Sequence, residues 1–277
     1  MDSVSGMIVL ITGAARGMGR LYAERAVAEG AASVVLLDVD AAALEATAAE
    51  LRGASAAGIG AVFPFVVDLS SREDIAAVAE RVRAEVGNPD VLINNAGIIR
   101  SSMFWEHDPA RDIEATMQVN TLAAMYLTRE FLPAMIEGGR PSRILNIASA
   151  AGTLANPRMS VYAASKWAMI GWSDSLRLEL LKSGHRHVMV TTFTPSYIST
   201  GMFAGARGPV WTPIMTPENA STAAWKAMLR GKPLLRRPWT VGLSQALKGI
   251  LPVRAWDFLA GRVFKVYSSM DEFTGRS

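Results

Sequence analysis

Tyr162 and Lys166 stand four residues apart in the run Tyr162-Ala163-Ala164-Ser165-Lys166. Ala163, Ala164, Ala168 and the long apolar residues beyond them predict a helix, which places both side chains on one face, one turn apart, where they can act on a single ligand. A free phenol, with a pKa of roughly 10, is a poor base at neutral pH. An ammonium beside it favours the phenolate by Coulomb attraction and moves the tyrosine toward the range useful for proton transfer. Ser149 follows the apolar run Ile144-Leu145-Asn146-Ile147-Ala148, a predicted buried strand, so its hydroxyl is expected at a strand's C-terminal end. In open parallel sheets that is the end where ligands bind. Singly these features are ordinary, because Tyr-x-x-x-Lys is also a common helical pair and serines often sit at strand exits. Their meaning depends on what lies upstream.

A succession of strands and helices must bring these groups to one place. Met7-Ile8-Val9-Leu10-Ile11 is a strand, Thr12-Gly13-Ala14-Ala15-Arg16-Gly17-Met18-Gly19 a glycine-rich turn, and the residues from Arg20 to Ala28 a helix stopped by Gly30. Strand, glycine turn and helix in this order suit a pyrophosphate, since the glycines allow close backbone approach and the helix N-terminus presents free N–H groups and a positive dipole end. The next strand, Ser33 to Leu37, ends at Asp38. A carboxylate there can accept hydrogen bonds from both adenosine ribose hydroxyls and repels a 2′-phosphate, which favours NAD over NADP. Arg16 points the other way, because a basic residue in the turn could meet that phosphate. Asp40 is free to cap the following helix, Ala41 to Arg52, which leads through a Gly/Ala linker to the strand Ala61 to Val67. Asp68 leaves that strand toward the adenine side, and Ser70 or Ser71 caps a helix running toward Val86. Val91-Leu92-Ile93 is a further buried strand, ending in Asn94-Asn95-Ala96-Gly97. A long helix lies within Pro109 to Met135, and Asn120 inside it, between apolar neighbours, requires a specific partner. Alternation of strand and helix continues to Val188 through Phe193 and Thr194-Pro195-Ser196, which predicts one doubly wound parallel sheet.

Composition narrows the function classes. Half of the 277 residues are hydrophobic, enough for a substantial core, and no apolar run approaches the roughly 20 residues that span a bilayer. A cytoplasmic protein is expected, as Met1-Asp2-Ser3-Val4 leads directly into a strand. With no cysteine and only His107, His185 and His187, neither thiolate chemistry nor a histidine metal site is expected. A net charge of +3 argues for no nucleic-acid partner.

Thr12-Gly13-x-x-x-Gly17-x-Gly19, Asn94-Asn95-Ala96-Gly97, Asn120, Ser149 and Tyr162-x-x-x-Lys166, in this order and spacing, together resemble the short-chain dehydrogenase/reductase family over nearly all of residues 5 to 230. The resemblance implies a single-domain Rossmann-type α/β fold with helices on both faces of the sheet. It implies that Tyr162 is the general acid/base, that Lys166 lowers its pKa and holds the nicotinamide ribose, that Ser149 positions the substrate oxygen, and that Asn120 orders a proton-relay water. It further implies cofactor contacts from Gly13, Arg16, Gly17, Met18 and Gly19, from Asp38, Asp68 and Leu69, and from Asn94, Ala96 and Gly97. After the sixth strand it implies contacts from Pro195, Ser196, Ile198 and Thr200. Where many members carry Pro-Gly this chain has Pro195-Ser196, which alters local shape while leaving backbone for the carboxamide. By analogy with the family a homodimer or homotetramer forms through the two long helices near Asn120 and Tyr162. Thr200-Gly201-Met202-Phe203 and Ser269-Met270-Asp271-Glu272-Phe273 look similar to members acting on lipophilic alcohols of the retinoid and steroid type.

Residues 196 to 217, rich in Gly, Pro, Met and aromatics, read either as a substrate lid or as a loop packed on the core. Beyond residue 230 lies a helical extension, 231 to 277. From Arg230 to Arg276 nine basic residues stand against three acids, so the segment carries +6 and the rest of the chain −3. Trp239, Leu243, Leu247, Ile250, Leu251, Trp256 and Phe258 are interleaved with them. This pattern suits peripheral contact with a membrane, or helices that pack over the sheet and complete a substrate cavity or oligomer contact.

Overall fold

The computed structural model describes residues 1–54 and 60–275, so most of the linker before the third strand, and Arg276, lie outside the described residues. Seven strands form one parallel sheet: β1 (Ile8–Thr12), β2 (Ser33–Asp38), β3 (Ala61–Val66), β4 (Val91–Asn94), β5 (Ser142–Ile147), β6 (Val188–Pro195) and β7 (Leu234–Arg237). Their order across the sheet is β3-β2-β1-β4-β5-β6-β7. The central strands β4 and β5 are buried along their whole length because helices cover both faces and leave no solvent side. Pro64 is tolerated because β3 is an edge.

One face of the sheet carries α1 (Gly17–Ala28), α2 (Ala41–Ala54) and α7 (Pro217–Leu229), with Trp225 fully buried and stacked on Tyr22 at 6.3 Å between ring centroids. The other carries α3 (Arg72–Glu85), capped by Ser71, and two long helices, α5 (Ala123–Glu137) and α6 (Ser160–Lys182), around Leu127, Phe131, Leu176 and Leu180. The helix expected within 109–135 is interrupted. It begins with a π-helical turn (Pro109–Glu114), passes through the short α4 (Ala115–Met117) and widens again at Gln118–Leu122, the turn that holds Asn120. Such widened turns gather at functional sites.

The segment expected to be a purely helical extension from residue 231 first adds β7 to the sheet edge, paired in parallel with β6. Four residues ending in two arginines carry little strand signal, and charge of this kind is how an edge strand is protected. After β7 come α8 (Trp239–Ile250), α9 (Val253–Phe258) and a π-helical turn (Leu259–Val263). The chain then returns across the loop after β6, with backbone bonds from Arg207 to Ser269 and from Thr274 to Ala204. Among the described residues no helix is long and apolar enough to cross a membrane.

Candidate active site

Ligand space lies where the sheet order reverses, beside β1 and β4, at the carboxyl ends of the strands. The turn after β1 is shaped by its glycines. Gly13 and Gly17 have φ of 65° and 57°, in the left-handed region that side chains resist. A Cβ on Gly19 would collide with the Gly13 carbonyl oxygen, whereas one on Gly17 would approach nothing nearer than Thr200, at 3.8 Å. Gly19 therefore closes the turn from within, and Gly17 opens it onto a cleft of about 400 Å³. Asn95, quoted in the motif but missed as a site residue, braces this turn by donating to the carbonyls of Thr12 (2.9 Å) and Gly13 (3.2 Å). The Thr12 hydroxyl accepts from the backbone N–H groups of Asn95 and Ala96.

At the far end of the cleft Asp38 accepts hydrogen bonds from the N–H groups of Ala15 (3.0 Å) and Asp40 (3.1 Å). Arg16 pairs with Asp40, which also accepts from Ala43 N–H at the start of α2. That backbone bond, with Arg16 in support, holds the Asp40 carboxyl below its ordinary value. Asp68 and Leu69 line the adjacent wall, and Asp68 accepts from both N–H and hydroxyl of Ser70. Met18, Ala96, Gly97, Pro195, Ser196, Ile198 and Thr200 also line the cleft.

Three expected site residues stand off the cleft. Gly19 is buried behind the turn. Asn94 is buried between strands, donating to Asn146 (2.8 Å) and Thr128 (3.2 Å), because its side chain leaves β4 on the face that α5 covers. The side chain of Asn120 has the partner its burial demanded, the backbone of Ile98: its Oδ1 accepts from Ile98 N–H (2.7 Å) and its Nδ2 donates to Ile98 O (2.9 Å) and Ser165 Oγ (3.1 Å). Asn120 thus ties the strand exit to α6 and does not turn its amide toward the phenol. Val39, Val67, Ile98 and Val119 line the cleft without having been expected, and each is a chain neighbour of an expected residue. Met202 and Phe203, from the loop read as a substrate lid, line it as well.

Tyr162, Lys166 and Ser149 are brought together, all three buried. Ser149 lies beside Tyr162 on the wall of the cleft, and its Oγ accepts from Ala151 N–H at 3.2 Å. Lys166 donates to the Ile147 carbonyl (2.9 Å), with Nζ 5.8 Å from the centre of the Tyr162 ring. The expected depression of the phenol is not a property of this arrangement. Burial pushes Tyr162 up to about 12 against the lowering influence of the neighbouring Ser149 hydroxyl, and burial also lowers Lys166 to about 8. The ammonium is aimed at a carbonyl rather than at the phenol oxygen, and desolvation outweighs what attraction it exerts.

Ser149, Ser196 and Phe203 border both this cleft and a second, largely apolar cavity of about 290 Å³. Its walls come from distant stretches: Leu154 and Met159 before and at the start of α6, Pro209 to Thr212 of the long loop, and Val241, Leu247, Phe264 and Val266 of the tail. Asn156, Tyr197 and Ser269 clasp these stretches together, with Tyr197 Oη 2.8 Å from Ser269 Oγ and Asn156 Nδ2 2.9 Å from the same oxygen. Met270 of the tail is buried against Tyr162 and Met159.

Comparison with known proteins agrees with this geometry. The family model described as short chain dehydrogenase matches residues 7–209. Estradiol 17-beta-dehydrogenase 11 of Homo sapiens is 36% identical over 274 residues, which are 99% of this chain and 87% of that protein. Epidermal retinol dehydrogenase 2 of Mus musculus is 36% identical over 276 residues, with the same shares of both chains. Among solved structures, a short chain dehydrogenase/reductase from Burkholderia phymatum in complex with NAD superposes with a TM-score of 0.80 at 26% identity, covering 90% of this chain and 95% of that one. A short-chain dehydrogenase from Sphingobium yanoikuyae in complex with NADPH gives 0.73 at 32% identity, covering 89% and 97%.

Proposed function

The chain belongs to the short-chain dehydrogenase family, and we propose that it interconverts a lipophilic secondary or primary alcohol and its ketone or aldehyde, with NAD as hydride acceptor. The observation that carries this reading is the position of Ser149, beside Tyr162 at the junction of a glycine-walled cleft and an apolar cavity. A hydroxyl entering from the apolar side meets both side chains at once.

The cleft fits a dinucleotide: left-handed glycines, a helix N-terminus without acidic residues in its first turn, and a carboxylate at the ribose end. NAD is favoured over NADP because a 2′-phosphate would meet Asp38, while the charge of Arg16 is already answered by Asp40. A bound nicotinamide would supply the hydride acceptor for the carbinol carbon. In its phenolate form Tyr162 takes the hydroxyl proton during oxidation, and as the neutral phenol, the form its burial favours, it gives a proton to the carbonyl oxygen in reduction. Ser149 donates to the substrate oxygen and keeps it beside the phenol. Lys166, cationic below about pH 8, adds positive charge near the phenol and is within reach of the nicotinamide ribose side of the cleft. Asn120 acts by positioning, since its amide sets the backbone at Gly97 and Ile98 and the height of α6. Residues 196–217 act as the lid, with Met202 and Phe203 over the cleft and Pro209 to Thr212 over the cavity. The names of two relatives, an estradiol dehydrogenase and a retinol dehydrogenase, support a lipophilic alcohol. A homodimer or homotetramer through the exposed faces of α5 and α6, where Trp167 and Leu178 meet solvent, completes the reading.

The test is absorbance of the reduced nicotinamide with NAD and NADP in parallel, across alcohols from short and water-soluble to steroid-sized. Turnover with NAD that improves with apolar bulk is expected. No reduction of either nucleotide by any alcohol defeats the proposal, and a preference for NADP defeats the assignment of Asp38.

A further inference from the structure

The apolar cavity opens through a surface that is itself apolar. Val210, Trp211, Trp239 and Leu243 line the cavity and are also exposed, Trp211 at 74% and Trp239 at 70%. The rim is one structure assembled from three segments. Val210 N–H donates to Phe264 O at 2.9 Å, the rings of Trp211 and Phe264 stand 6.2 Å apart between centroids, and the hydroxyls of Thr212 and Thr240 bond at 3.0 Å. From the rim the same surface continues along α8 and α9. Trp239, Leu243 and Ile250 recur at the spacing of one helical face, followed by Val253, Phe258 and Val263, with Ile250 80%, Val253 74% and Phe258 59% exposed. Thr240 and Val241, on the other side of α8, are buried. The helix is therefore apolar on two sides and covered on one. Soluble monomers seldom leave so continuous an apolar surface uncovered.

Two further observations fall at this place. Arg237, Arg254, Arg262 and Lys265 are exposed and take part in none of the ion pairs among the described residues. The nearby acids are engaged, Asp257 accepting from Tyr267 and Glu272 pairing with Arg207. Backbone strain gathers here too: Trp211 (φ 62°) and Lys265 (φ 52°) are two of the three non-glycine residues in the left-handed region among the described residues. A bulky residue is held in that region only where its surroundings enforce it, and at Trp211 the result is an indole turned outward at the cavity mouth.

We propose that the rim and the outer faces of α8 and α9 dock on an anionic lipid bilayer, so that a lipophilic alcohol passes from the bilayer into the cavity without crossing water. Indoles settle at the level of lipid headgroups, and unpaired arginines and lysines complement anionic ones. A protein partner on this face would seal the mouth that a bilayer would supply. The substrate-entry part rests on reading the cavity as the site of a lipophilic alcohol.

The full chain is co-sedimented with vesicles of equal parts phosphatidylcholine and phosphatidylserine, and with phosphatidylcholine alone. Binding to the anionic vesicles that falls with added salt is expected. The triple variant Ile250→Ser, Val253→Ser, Phe258→Ser, whose positions lie outside the cavity wall, should bind about tenfold more weakly or less. Arg254→Glu with Arg262→Glu should lose on the order of thirtyfold or more. Both should turn over a dissolved short-chain alcohol like the parent, and both should slow with an alcohol delivered in vesicles. Absence of vesicle binding by the parent chain, or equal binding by the variants, overturns the proposal. So does a subunit number that drops in the triple variant without vesicle binding by the parent, which would make this face an interface between copies. Sedimentation is read without turnover, so vesicle binding with no nicotinamide reduction would support the docking face and defeat the dehydrogenase reading instead.

Discussion

The cleft and the cavity on the two sides of Ser149 are built by different means. The cleft is made of strand exits and the turns that follow them, so its shape comes from the sheet register and from residues next to one another in sequence. The cavity draws its walls from stretches more than a hundred residues apart, held by a few long-range contacts such as Tyr197 to Ser269 and Val210 to Phe264. A cleft of the first kind presents the same polar groups whatever lies over it. One of the second kind can change size and chemistry through its loop and tail while the cofactor end stays as it is.

If that division is right, substitutions should separate along it. The largest effect belongs to the junction. Tyr162→Phe should lower turnover by about three powers of ten, since it removes the only proton carrier proposed, while NAD affinity followed by fluorescence changes by less than about threefold. Comparable losses in both would mean that the phenol shapes the nucleotide site as well. Next, Leu247→Trp should fill the cavity and cut kcat/KM for steroid-sized alcohols by about thirtyfold, with short alcohols and NAD binding little altered. A matching loss for short alcohols would show that the two regions are not independent. On the cleft side, Asp38→Ala should shift the ratio of kcat/KM for NAD and NADP by about tenfold toward NADP and leave the ranking of alcohols untouched.

The smallest effect is on stability. Lys166 is lowered from its ordinary 10.5 to about 8, so between those values the unfolded chain holds a proton that the folded chain has released, and stability rises with pH there. Tyr162, raised to about 12 from 10, keeps its proton when the unfolded chain has lost it, so stability falls with pH above about 10. The rise in Tm between pH 8 and 10 should flatten in Lys166→Met, by an amount on the order of 2–3 kcal/mol across the window. An unchanged slope would mean that the buried ammonium is better solvated than its surroundings indicate.

Reading the chain alone reached the sheet, the glycine turn and the carboxylate after β2, because each rests on a short pattern with a local cause. It placed Asp38 and Asp40 correctly at a strand exit and a helix start. It mistook Asn94 for a cleft residue, since strand position does not say which face a side chain takes at the last residue. It required a specific partner for the buried Asn120, which the backbone of Ile98 supplies. It missed β7, four residues whose pairing partner lies some forty positions earlier in the chain.

The sequence by itself determined the alternation of strands and helices, the glycine geometry and the pairing of Tyr162 with Lys166 on one helical face, all of which follow from backbone periodicity and from residues within a turn of each other. Only the tertiary structure decided the electrostatics and the substrate side. Whether a phenol is pushed up or down depends on how much water burial removes and on where the ammonium points. Whether an apolar tail residue lines a cavity or faces outward depends on what packs behind it, as Val241 and Ile250 of one helix show.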